Sequence, residues 1–233
     1  MMRYCGWLAA IFLLPLCSFN TGNVTTHETL AGDAALRRWT DPAYFAGSMT
    51  SGLEYMVMNA PENIEAAADG DLYRTRLTPG MMDPDKIFLL IDKTDYRLYV
   101  YEDVTLRKIY KVTFGNADQS DKYMQGDRRT PEGVFHISNK RMDNRWSRFM
   151  LLDYPNATSW TRFRDRQARG VIPTSATIGD GVGIHGVEEA SGIDDMYVER
   201  RINWTLGCIS LKSADIAELY NVLKVGTPVV IRR

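Results

Sequence analysis

Cys208 sits in Asn203-Trp204-Thr205-Leu206-Gly207-Cys208-Ile209-Ser210-Leu211, behind a glycine at the edge of an apolar run. It is the one cysteine outside an N-terminal apolar leader that carries Cys5 and Cys17. A cysteine thiolate attacks carbonyl carbon, and acyl transfer then needs an imidazole that takes the thiol proton and returns it to a leaving amine. Three histidines are available, His27, His136 and His185. His185 lies in Gly183-Ile184-His185-Gly186, where glycine lets backbone approach a substrate, whereas His136 lies in an alternating strand pattern that more often packs or solvates its side chain. The expected pair is therefore Cys208 as nucleophile and His185 as base, with amides beside Gly186 and Gly207 stabilising an oxyanion. Against it stands the plainer reading of a buried, inert thiol and a histidine that merely ends a strand. Trp204, Thr205 and Ser210 flank the thiol and are the expected substrate contacts. Three scattered histidines give no zinc spacing and no phosphate-cradling loop is present, so neither a metal nor an organic cofactor is expected.

These residues need a scaffold, and the pattern from Lys86 onward is mainly β. Ile87 to Ile91 is a continuous apolar strand, Asp92 to Asp95 a turn, and Tyr96 to Tyr101 the returning strand of a hairpin. Tyr110, Val112 and Phe114 alternate with polar residues up to Gly115-Asn116. Val134 to Ser138, Phe149 to Leu152, Val182 to His185 and Val229 to Ile231 read as further strands. One helix is expected directly after Cys208, with Ser213 as cap and Ile216, Leu219, Tyr220 and Leu223 on its apolar face. Asp118 to Arg129 reads as a polar loop and Glu188 to Arg201 as an exposed segment. Pro155 to Pro173 shows no period and reads as a long loop, a lid or substrate wall whose Arg162, Arg164, Arg166 and Arg169 either meet a carboxylate or simply face solvent.

At 233 residues, with 45% hydrophobic content and a net charge of -1, the chain has enough apolar mass for one real core. That charge gives nucleic acid no electrostatic support as a partner. Residues 1–20 read as an export signal, because the apolar run Gly6 to Leu16 is shorter than the roughly 20 residues of a membrane span. Cys17 is either an ordinary leader cysteine or a lipidated first residue that would anchor the protein to a membrane. Residues 21–85 read as a linker with short helical pieces, including a helix end near Ala66 to Gly70. Residues 86–233 form the expected catalytic domain.

Lys86 to Ile231 resembles the catalytic domain of the L,D-transpeptidase (YkuD-like) family of peptidoglycan-remodelling enzymes. The likeness rests on the strands Ile87 to Tyr101, Thr130-Pro131-Glu132-Gly133-Val134-Phe135, Ile184-His185-Gly186 and Gly207-Cys208-Ile209-Ser210-Leu211. It implies a β-sandwich or barrel with a short capping helix after the cysteine. It also implies a nucleophile at Cys208, a base at His185 oriented by the Gly186 carbonyl, and an oxyanion site around Gly207 and Cys208. Stem peptides of peptidoglycan would be the substrate, crosslinking the reaction, and a monomer in the periplasm or cell envelope the working form. Hydrolysis at the same site and a dead wall-binding protein are the alternatives. One departure stands out: Leu206 occupies the position of the family's motif histidine.

Overall fold

The structure, a computed structural model, describes residues 69–233. The expected export signal, Cys17 and the helical pieces before residue 69 lie outside the described residues. Helix α1 (Asp69–Arg74) continues past Gly70, where a helix end was expected. The chain after it is already part of the fold, because Leu77 and Met82 are buried in the main core.

The strands are β1 (Ile87–Asp92), β2 (Arg97–Glu102), β3 (Thr105–Lys111), β4 (Gly133–Asp143), β5 (Ser147–Leu152), β6 (Gly183–Gly186), β7 (Ile209–Leu211) and β8 (Pro228–Arg232). They form one sheet in the order β3-β2-β1-β8-β4-β5-β6-β7. β1 is buried along its whole length, which is why it reads as an unbroken apolar run. Its antiparallel partner is β2 and its parallel partner is the last strand, β8. The sheet's two edges then meet: Thr113, just beyond β3, bridges to Ser210 in β7, and Gly115 bridges to Thr205. The result is a nearly closed barrel with few free backbone edges.

The expected helix after the cysteine is α4 (Ser213–Val222), whose buried side is Ile216, Leu219 and Val222. Its cap is Lys212 rather than Ser213, and the Ser213 amide donates to Asp195 Oδ1 at 2.9 Å. The segment from Glu188 to Arg201 is less exposed than expected. It buries Glu188 and Val198 and folds as a 3₁₀ turn followed by α3 (Asp195–Glu199).

Pro155 to Pro173 differs most from expectation, since most of it is helix α2 (Ala157–Ala168). Phe163 is its one buried residue, so hydrophobic periodicity had nothing to register. Polar contacts hold it instead. The Asn156 side chain accepts from the Ser159 amide at 3.1 Å, Arg162 donates to the Glu132 carbonyl at 2.8 Å, and Arg166 pairs with Asp121 at 2.5 Å. Arg162 and Arg166 thus face protein, while Arg164 and Arg169 remain on the surface.

The same buried charges fix the polar loop between β3 and β4. Lys93 and Glu132 pair at 2.9 Å with side chains only 1% and 3% exposed, and Lys93 Nζ also donates to the carbonyls of Ser120 and Thr130 at 3.1 Å. Burial pulls the Lys93 ammonium below its ordinary range, and Glu132 opposes that shift. Breaking such a pair from one side strands a charge in the interior. Lys93→Met should therefore cost about 3–5 kcal/mol in urea unfolding, and adding Glu132→Leu should recover most of the loss.

Candidate active site

β6 and β7 run parallel, with Ile184 opposite Ile209 and His185 opposite Ser210. Side chains alternate along a strand, so Ser210 projects from the same face as His185. Cys208 stands just before β7, and the same register continued one residue back sets it beside Gly183.

Each is held by its own backbone. His185 Nδ1 lies 2.7 Å from the Gly186 carbonyl, the orienting contact expected from the sequence. That bond makes Nδ1 the donor and leaves Nε2 as the acceptor. The ring is caged by aromatic neighbours: it stacks on Trp146 at 4.6 Å and on Phe149 at 5.8 Å, neither singled out as a site residue from the sequence, and Trp204 meets it edge-on at 5.5 Å. Trp146 and Phe149 come from the β4–β5 hairpin, and their only signal in the sequence is an aromatic pair flanking an apolar run. Gly183 is required for this packing, because a Cβ there would fall 2.5 Å from the Phe149 ring.

Cys208 is half-buried and its thiol donates to the Gly181 carbonyl at 3.6 Å. The loop before it is stitched to the end of the β3 segment. The Trp204 and Thr205 amides both donate to the Phe114 carbonyl, and the Asn203 side chain accepts from the Phe114 amide. Thr205, expected to contact substrate, is buried; its hydroxyl accepts from the Gly207 amide at 3.1 Å and donates to the Cys208 carbonyl at 2.7 Å. The Gly207 amide is therefore committed to the turn. Gly207 has φ 134, and a Cβ would fall 2.8 Å from the Arg129 carbonyl, so glycine is demanded there. Ser210 is fully buried, and its Oγ finds no partner among the described residues; the same holds for Trp204 Nε1. His136, the rival base, faces Asp153 at 3.3 Å, and that contact raises its pKa.

A family model described as the L,D-transpeptidase catalytic domain (YkuD) matches residues 86–231. The chain belongs to that family. Among solved structures similar to it are the helical cell shape determining protein Pgp2 from Campylobacter jejuni, at 22% identity and a TM-score of 0.46, covering 70% of this chain and 53% of that one. Another is an L,D-transpeptidase from Xylanimonas cellulosilytica, at 19% identity and a TM-score of 0.41, covering 68% and 65%. A third is Bd1075 from Bdellovibrio bacteriovorus, at 18% identity and a TM-score of 0.43, covering 69% and 53%. The chain thus spans about half to two thirds of these chains. No curated protein sequence matches it.

For a member of the L,D-transpeptidase family, the departure at Leu206 falls in an informative place. Its side chain is 74% exposed, so it neither props up His185 nor fills a buried wall. His185 lies in β6, the strand beside the Cys208 segment. Burial lowers its pKa to about 4, with the Gly186 carbonyl opposing. Burial also pushes the Cys208 thiol up, against the Gly183 backbone and the Lys122 charge. The resting pair is consequently a neutral thiol and a neutral imidazole.

The His185 shift carries a stability consequence of definite sign. The unfolded chain protonates this histidine near its ordinary 6.5 and the folded chain only near 4, so the unfolded state binds more protons between those values. Stability falls as pH drops through that window. Denaturant titrations should show the wild type losing on the order of 3 kcal/mol more than His185→Gln between pH 7 and pH 4.

Proposed function

We propose that this protein is an exported L,D-transpeptidase that acts on peptidoglycan stem peptides through a thioester on Cys208. The observation that supports the reading is the β6–β7 register, which pairs His185 with Ser210, two residues past Cys208, while the Gly186 carbonyl lies 2.7 Å from the imidazole Nδ1. Neutral His185 Nε2 takes the thiol proton as Sγ attacks the carbonyl of the amide that follows the L-centre of the third stem residue. The Cys208 N–H is the donor assigned to the developing oxyanion, because the Gly207 N–H already serves Thr205. Collapse breaks the C–N bond, the imidazolium returns its proton to the departing amine, and D-alanine leaves. The amine of a second stem peptide then attacks the thioester, His185 accepts its proton, and the thiol is regenerated with a new crosslink formed. Water in place of that amine would give hydrolysis at the same carbonyl.

A metal is not needed for any of these steps, and neither is an organic cofactor. Trp204, packed edge-on to His185, forms part of the wall over the thiol. The role of Thr205 is to shape the turn that presents Cys208. Residues 1–20 serve as the export signal in this reading, and the cell envelope is the place of work.

Purified wild type should convert disaccharide tetrapeptide into crosslinked dimers detectable by mass spectrometry of muropeptides. Cys208→Ala and His185→Ala should each lower that yield by roughly 10³-fold or more, as expected when a nucleophile or its base is removed. Equal crosslink profiles for wild type and both variants would replace this reading with that of a wall-binding protein lacking catalysis.

A further inference from the structure

A second feature lies at the far end of β7. Arg97 in β2 stands opposite Lys111 in β3. The Thr113–Ser210 bridge, continued two residues along each chain, sets Lys111 opposite Lys212. Three cations therefore stand side by side on adjacent strands, an arrangement that like-charge repulsion disfavours. Two carboxylates answer part of it. Glu199 lies between the lysines at 2.5 Å and 3.0 Å, and Asp215 lies 3.6 Å from Lys212. Burial pushes the Asp215 carboxyl up, and the Lys212 charge opposes that shift.

Arg97 is not answered in this way. Its Nε donates to the Tyr73 hydroxyl and its Nη1 to the carbonyls of Asp95 and Tyr96, and Nη2 lies outside those bonds. Among the described residues no carboxylate comes within ion-pair distance of it. Beside these groups lies a cavity of about 330 Å³, with the Tyr73 ring and Ile109 supplying apolar wall. That volume lies at the small end of the range for ligand sites, and its lining sets three cations, Arg97, Lys111 and Lys212, against two carboxylates, Glu199 and Asp215.

We infer that this cavity binds a carboxylate-bearing peptide, with the carboxylate between Arg97 and Lys111 and the aliphatic part against Tyr73 and Ile109. The inference rests on the proposed function for which peptide that is, a peptidoglycan stem. Lys212 follows Cys208 by four residues, about 13 Å along an extended strand, so the cavity stands apart from the nucleophile.

The test is amide NMR titration of the Cys208→Ala protein, which cannot turn over, with free stem tetrapeptide. Binding should shift the amides of Arg97, Lys111 and Lys212. Arg97→Gln and Lys111→Met, each checked for an unchanged melting temperature, should raise that Kd at least about tenfold, the loss of one charge-assisted contact. A tetrapeptide with every carboxylate amidated should leave these amides unmoved. Shifts confined to residues 181–208, or the same Kd in both variants, would overturn the inference. Cavity shifts in a protein whose wild-type Cys208 is never acylated by a donor would instead sink the proposed function and leave the cavity standing.

Discussion

Everything at the candidate site depends on a pairing of three residues a side. β6 and β7 are short, yet their parallel register sets His185 beside Ser210, two residues past Cys208. A slip by one residue would send the thiol to the opposite face and remove the base from reach. The register is secured from outside the pair. The Thr113 and Gly115 bridges hold the cysteine segment to the strand beyond β3, and the Arg129 carbonyl packs against Gly207 from the loop that the Lys93–Glu132 pair anchors. A buried ion pair far from the thiol in sequence thus anchors the loop that packs on the turn before Cys208.

The electrostatic character of the site follows from the same packing. Burial among aromatic neighbours disfavours the charged ring, which keeps His185 neutral at physiological pH. One backbone carbonyl orients it, and no carboxylate is required for that task. Leu206, where the family's motif has a second histidine, is exposed, so His185 is the one imidazole these motifs carry in this chain.

Much of this was legible in the residues themselves. Apolar alternation marked the strands, because burial of one or both faces writes itself into sequence with period two. Cys208 and His185 were legible as candidates, as residue types in glycine settings. Other features are long-range and leave no local trace. Helix α2 is held by arginines reaching Asp121 and the Glu132 carbonyl, so it looks like a loop to any hydrophobic periodicity. The aromatic cage arises because the hairpin between β4 and β5 folds over β6, an event that no window of neighbouring residues records. Thr205 looked like a substrate contact because its hydroxyl lies beside the thiol, but that hydroxyl is spent on the turn.

The central claim is that Cys208 is a nucleophile activated by His185. Intact-mass spectrometry after incubation with a carbapenem addresses it directly, because a strained β-lactam amide acylates a reactive thiolate without needing an acceptor. The account predicts one adduct per wild-type molecule, none on Cys208→Ala, and acylation of His185→Ala slowed by about 10²-fold or more. Wild type left unmodified after long incubation, or His185→Ala acylated at the wild-type rate, would contradict it.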